Sequence, residues 1–349
     1  MSETRAVPNL FDFATGELSQ DAFLAWLANW ADPKYAAQDP ALNEVAQAFI
    51  SRLSAGAFTG VDIASVKTRQ QFKKTDVVIA VTLCAPRREN HLIVIEDKTS
   101  SGIHGDQLRE YTKRIGEAVS VGGEFESHIP HFVYYKTEDH ITSEKDLGGF
   151  TNITRADALA VFNAPAAKAI TNAIFTDYVS RLNRIENDSK AYRHRPVEDW
   201  EYAQWSGFLK ALCEALGADA NFGYVPNASG GFIAAWFGWD AFTGAVFPEM
   251  IADDEIYLQL ARRNTDLFFD LKVRVASPDR ARTLELKASI LPRLTAKLEA
   301  ANIAFSSRNI RSGKSMAIMT LEGVGIAAGE DKAETLAADI RHIISVMSA

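Results

Sequence analysis

The chain has 349 residues, 47% apolar and 23% charged, the composition of an ordinary soluble globular protein long enough for two domains. No run approaches the ~18 to 20 apolar residues of a membrane span, and no basic-plus-apolar leader is visible at the N-terminus. The net charge of −8 counts against a uniformly basic nucleic-acid surface and leaves local basic fields open. Two cysteines, Cys84 and Cys213, far apart and without a pairing pattern, point to a reducing compartment, the cytoplasm.

ELSQDAFLAWLANWAD spaces Phe23, Leu24, Trp26, Leu27 and Trp30 as a helix, with Ser19 as its expected N-cap. PALNEVAQAFISRL is a second helix, with Pro40 in its first turn and Leu42, Val45, Phe49 and Leu53 on one side. DIASVKTRQQF, TDVVIAVTL and HLIVIEDK read as three strands from their β-branched residues and polar boundaries. DQLREYTKRIGEAV returns to helical spacing, HFVYYKT is a strand, and GFTNIT is one more before the helix RADALAVF. One long helix is expected from Pro165 to Ser189, and the charged stretch that ends it reads as a linker. The expected domains are therefore 1–190 and 191–349.

The second half begins with the helix VEDWEYAQWSGFLKALCEAL and continues with the strands GGFIAAWFGWD, EIYLQLAR and DLFFDLKVRV. A helix follows in DRARTLELKASILPRLTAKLEAAN, which Pro292 is expected to divide or kink. The strands IAFSSRNI and SMAIMTLE and the helix DKAETLAADIRHIISVM complete an α+β layer structure. Trp236, Phe237, Trp239 and Phe242 are of a type that stacks on bases, though aromatics in strands are more often core. Arg262, Arg263, Lys272 and Arg274 read as scattered surface. A specificity or partner-binding role for this half rests on elimination.

The second of the three N-terminal strands leads into a hairpin that ends in Glu96-Asp97-Lys98. Three charges are a poor choice where a strand leaves a core, because each needs pairing or solvation. A turn centred near Arg87 places Asp76 opposite Lys98 and diagonal to Glu96. Alternation then puts Asp76, Glu96 and Lys98 on one face, continued by Val78 and Val94, with Asp97 pointing the other way. Two carboxylates and a strand carbonyl suit a hard divalent cation, and a neighbouring lysine can assist a phosphate or a bound water. The alternative is an ion pair of Asp76 with Lys98 beside a solvated Glu96.

Asp76, a hairpin turn, then Glu96-x-Lys98, inside the order helix, three strands, helix, strand, resembles the PD-(D/E)XK nuclease superfamily. Gln107-Leu108-x-x-Tyr111 is similar to the Q-x-x-x-Y signature of several branches. GELSQDAFLAWL, with Glu17 near its start, resembles the acidic opening helix of uncharacterised bacterial nuclease-like families. The likeness covers about residues 10 to 160 and departs where Thr75 precedes Asp76 in place of proline. It implies an α/β fold with a restriction-endonuclease-like core, which the α+β layer pattern of the second half follows as a C-terminal domain. It also implies a nuclease using Mg2+ or Mn2+, with Asp76, Glu96, Lys98 and Gln107 as catalytic residues. The metal ligands would be Asp76, Glu96 and the Asp97 backbone carbonyl, with Glu17 as a further candidate and Glu44 its rival. His104 reads more naturally as a loop histidine than as a ligand.

Two basic clusters, Lys67, Arg69, Lys73 and Lys74, and Arg181, Arg184, Lys190, Arg193 and Arg195, read equally as DNA-facing or as solvated surface. Lys73, Lys74 and Tyr111 are the expected nucleic-acid contacts. DNA is the expected partner, in defence or repair, and a homodimer is left open. The alternative function is a non-catalytic module that binds nucleic acid or protein on a nuclease-like fold. DNA versus RNA, and endo- versus exonuclease, stay open.

Overall fold

The structure is a computed structural model describing residues 8–99, 102, 106–142, 144–226, 230–242, 246–251, 254–263, 266–275, 280–309, 315–326, 329 and 331–349. It is a mixed α/β chain of two compact units, one formed by Met1–Glu138 and Thr142–Asn187, the other by Asp139–Ile141 and Asp188–Ala349.

The first unit opens with α1 (Glu17–Trp30) and α2 (Pro40–Leu53). The α1 cap differs from the Ser19 expectation. Gly16 is the N-cap, and its carbonyl accepts the N–H groups of Ser19 and Gln20, so Ser19 lies inside the first turn. In α2, Pro40 stands in the first turn, where its missing N–H costs nothing, and Asp39 caps by accepting the Leu42 N–H at 3.0 Å. Next come β1 (Ile63–Gln70), β2 (Val77–Leu83) and β3 (Asn90–Lys98), then α3 (Gln107–Val119), β4 (Ile129–Lys136), α4 (Glu144–Leu147), β5 (Thr151–Thr154) and α5 (Arg155–Phe162). Thr154 and Asp157 close a capping box at the start of α5.

The single helix expected over Pro165–Ser189 is interrupted. Pro165–Ala169 forms a 3-10 turn, and α6 runs from Ala173 to Lys190. Asn172 explains the restart, because its Oδ1 accepts the Ile174 N–H at 3.0 Å and so caps the new helix.

The five strands lie in chain order, with β1–β2–β3 antiparallel and β3–β4–β5 parallel. Odd-numbered Val77, Ile79, Ile93 and Ile95 pack into a core with α1, α2, α5 and α6. Even-numbered Val78, Leu92 and Val94 pack with Phe72 and with Ile115 and Ala118 of α3. Both sheet faces are thus covered, as parallel pairing through a helical crossover requires.

The second unit holds α7 (Tyr202–Leu216), β6 (Ala220–Val225), β7 (Phe232–Phe237), β8 (Glu255–Arg263), β9 (Asp266–Arg274), α8 (Arg280–Ala300), β10 (Phe305–Ser307), β11 (Ser315–Leu321) and α9 (Lys332–Ser348). Its six strands form an antiparallel sheet in the order β10-β11-β9-β8-β7-β6. β6 escaped the sequence pattern because ANFGYV mixes Asn and Gly with few β-branched residues. The helix expected to begin at Val197 opens instead with a 3-10 turn, Val197–Asp199, before α7. Pro292 lies inside a continuous α8 and does not divide it. No helix among the described residues is long and apolar enough to cross a membrane.

Candidate active site

The hairpin register decides which charges meet. Val77 pairs with Ile95 and Val78 with Val94, so Asp76 continues the ladder opposite Glu96, two residues from the expected partner Lys98. The physical reason is the turn. The Leu83 N–H donates to the Glu89 carbonyl at 2.9 Å, which closes Cys84–Arg88 and centres the hairpin on Pro86 instead of Arg87. A shift of two preserves parity, so Glu96 and Lys98 still share the α3-facing side while Asp97 faces α1.

Glu96 is the centre of the cluster. Its Oε1 accepts Lys98 Nζ at 2.5 Å and Gln107 Nε2 at 2.6 Å. Its Oε2 is buried and has no hydrogen-bond partner among the described residues. Burial first, then the neighbouring Asp76 carboxylate, pushes the Glu96 carboxyl up to about 7. Burial alone would lower the Lys98 ammonium, but its contact with Glu96 reverses this and holds its pKa above the ordinary value. Asp76 sits half-buried, and its Oδ2 accepts the Asp97 backbone N–H at 2.8 Å.

The Asp97 carbonyl, expected as a metal ligand, accepts Lys98 Nζ at 3.1 Å. The Asp97 side chain is fully buried behind the sheet. There its Oδ1 takes Gln20 Nε2 at 2.6 Å, and burial raises its pKa well above the ordinary value. Glu17, at the start of α1, reaches the site. Its Oε2 is 3.9 Å from Lys98 Nζ, and its Oε1 accepts the Thr99 N–H at 3.4 Å. Glu44 is an exposed residue of α2, and His104 lies outside the described residues.

Gln107 and Tyr111 come from the first turns of α3. Gln107 Nε2 bridges Glu96 and the Tyr111 hydroxyl, the latter at 2.7 Å. Tyr111 is only 7% exposed, packed with Leu108, Tyr134, Leu147 and Phe150. Its ring therefore packs in the core, and its hydroxyl accepts from Gln107.

Lys73 and Lys74 are exposed on the turn immediately before Thr75-Asp76. Gln71, Lys73 and Lys74 all have positive φ, at 53°, 49° and 73°, a conformation that side chains with a Cβ adopt at a cost. Buried Phe72 anchors this turn, with the Arg69 guanidinium 4.7 Å from its ring centroid. Arg69 itself pairs with Glu124 at 2.5 Å, and Lys67 is exposed on β1. In the other basic cluster, Arg181 donates to the Phe11 carbonyl, Arg184 pairs with Asp12, and Arg193 donates to the Tyr192 hydroxyl. Those three charges already have partners within the chain.

Protein-family models, curated proteins and solved structures offer no match to this chain.

Three residues join the site that the sequence reading did not single out. Asp21, one turn into α1, is buried beside Asp97. Burial first, then Asp76, pushes its carboxyl up to about 7, and its Oδ1 has no partner among the described residues. Gln20 links that pocket to Thr137 Oγ1 at 3.3 Å and to the Tyr178 hydroxyl at 3.2 Å. Lys136 pairs in register with Lys98 across β3 and β4, is buried, and has its pKa lowered by burial. The lysine that ends HFVYYK, in a strand next to one ending in EDK, was the available hint.

Among the described residues no three His, Cys, Asp or Glu side chains form a ready-made metal cluster. The pair Asp76 and Glu96 does fit a hard cation. The two carboxyls repel each other, and one buried oxygen has no hydrogen-bond partner among the described residues.

Proposed function

We propose that this chain is a metal-dependent nuclease that hydrolyses phosphodiester bonds of DNA. Its first unit would be built on the restriction-endonuclease-like core of the PD-(D/E)XK superfamily. The observation that carries the reading is Glu96: a buried carboxylate beside Asp76, held by Lys98 and Gln107, with one oxygen unpartnered among the described residues. A purely structural ion pair has no use for a second, repelling carboxylate at its side.

Asp76 and Glu96 would hold Mg2+ or Mn2+. Such a cation, when bound, supplies charge stabilisation to a scissile phosphate and acidifies a bound water. The Asp97 N–H fixes the Asp76 carboxylate, and Gln107 fixes Glu96. Lys98, kept protonated by Glu96, provides a positive charge for developing negative charge on phosphate. Exposed Lys73 and Lys74 meet the phosphate backbone next to Asp76.

The test is cleavage of linear, circular and single-stranded DNA with Mg2+ or Mn2+, beside a Glu96→Gln control. Metal-dependent cleavage that the control lacks is the expected result. A folded wild-type chain that binds neither metal and cleaves no substrate would leave a structural ion pair, of Lys98 with buried Glu96 and not with Asp76 as the sequence suggested.

A further inference from the structure

The second sheet carries a row of residues that its core does not use. Asn221, Trp236, Gln259, Asp270, Thr320 and Ser306 stand directly opposite one another across all six strands, from β6 through β7, β8, β9 and β11 to β10. Directly paired residues point to one face. Their chain neighbours Phe222, Phe237, Leu258, Leu260, Phe269 and Leu321 form the core with α7, α8 and α9, so the row lies on the opposite face. Of the four aromatics at the end of β7 and beyond, Phe237 and Phe242 are core, whereas Trp236 and Trp239 are only half-buried.

The middle of this row is buried and specifically oriented. Gln259 is 3% exposed and Asp270 is 2% exposed. The Trp236 indole N–H donates to Gln259 Oε1 at 3.1 Å. An indole nitrogen only donates, so the amide cannot be reversed, and Nε2 is the free end. That Nε2 is buried without a hydrogen-bond partner among the described residues. On the next strand, Asp270 Oδ1 accepts the Thr320 hydroxyl at 2.5 Å, with the Arg308 guanidinium 3.7 Å away. Arg308 Nε donates to the Thr320 hydroxyl at 2.5 Å, and its guanidinium lies 5.6 Å from the Phe268 ring centroid.

A buried amide donor left without an acceptor forfeits its hydration, and an aliphatic residue would cover a purely structural sheet face without that cost. The arrangement suits a ligand with an acceptor for Gln259 Nε2, an adjacent donor for the Asp270 carboxylate, and a flat surface for the indole. A nucleobase has all three, because its pairing edge carries donor and acceptor side by side and its faces stack on aromatics. We propose that this face of the second unit binds an unpaired nucleobase. Gln259 Nε2 donates to the base, Asp270 accepts from it, and Trp236 forms the stacking wall. This binding needs neither a cation nor cleavage by the first unit.

The experiment uses the full chain in EDTA. Free nucleosides, a short single-stranded oligonucleotide and its duplex are titrated in parallel, and a 5-iodouracil oligonucleotide is photocrosslinked and mapped by mass spectrometry. The expected results are binding of the single strand over the duplex and a crosslink at Trp236. Gln259→Met, which keeps the side-chain volume, should raise Kd by about tenfold or more. Nucleosides that bind as tightly as the oligonucleotide assign the site to a free nucleotide; a tighter oligonucleotide assigns it to a single strand. If Gln259→Met does not fold, Trp236→Leu, which removes the stacking ring, and the crosslink position decide. Unchanged affinity in the folded variants, or crosslinks confined to the first unit, overturn the proposal. Loss of cleavage with base binding intact would refute the nuclease reading alone.

Discussion

The backbone N–H of Asp97 donates to Oδ2 of Asp76 at 2.8 Å, although the Asp97 side chain faces the opposite side of the sheet. One residue thereby ties the two sides together. Its amide fixes the carboxylate in front, while its carboxyl is gripped from behind by Gln20 of α1.

Asp76→Asn should abolish metal-dependent cleavage and leave thermal stability unchanged or raised. The amide oxygen can still accept the Asp97 N–H, and removing the charge relieves the repulsion that now raises Glu96. Thermal melts in EDTA beside cleavage assays check this. A loss of more than ~2 kcal/mol would point to a structural ion pair.

Gln107→Leu keeps the bulk of the side chain and removes the donor to Glu96 Oε1 and to Tyr111. The single-turnover cleavage rate should fall about tenfold, the equivalent of one lost hydrogen bond to a charged group. An unchanged rate would reduce Gln107 to a packing contact between α3 and the sheet.

Neutralising Lys73 and Lys74 together should weaken DNA binding across all sequences and flatten its dependence on salt, because released counterions scale with phosphate contacts. Both lysines are exposed beside Asp76, whereas Arg69 is already paired with Glu124. Metal binding, measured by calorimetry, should be spared. Unchanged affinity and an unchanged salt slope would remove this turn from the footprint.

Asp157 should contribute to the acid limit of stability. Partial burial raises its pKa, but hydrogen bonds from Arg52 and Thr154 outweigh this and hold it below the ordinary aspartate value. A depressed folded-state pKa means the contribution is complete above the unfolded value of ~3.9 and is lost as pH falls through the folded one. Asp157→Asn should therefore lower stability at neutral pH by about 0.5 kcal/mol, the half-exposed Arg52 pair being screened by solvent, and narrow the gap to wild type at strongly acidic pH. Denaturant midpoints across that range check it.

Much of the fold was legible because its signals are local. Strand alternation, β-branched runs and helical spacing located β1 to β5 and α3, since each depends on neighbours a few residues away; the four-residue α4 is too short to show a period and was missed. The same period of two put Glu96 and Lys98 on one face and Asp97 on the other before any register was known. Where local chemistry is ambiguous, reading failed. Asn172 restarts a helix that apolar spacing carried straight through, and the β2–β3 turn closes one residue earlier than assumed.

Only the tertiary structure decided what surrounds the charges. Gln20 meets Asp97 across 77 residues of chain, and Asp21, which reads in sequence as one acid on an amphipathic helix, is buried because α1 lies against the end of β3. Tyr111 became core for the same reason, through packing with Tyr134 and Phe150. The row from Trp236 through Gln259 to Asp270 was invisible because cross-strand partners are set by the ladder of the whole sheet, not by spacing along the chain. Residue types and faces are written in the sequence; burial and partnership arise only when distant segments exclude water together, which is where charge and hydrogen bonding acquire their energies.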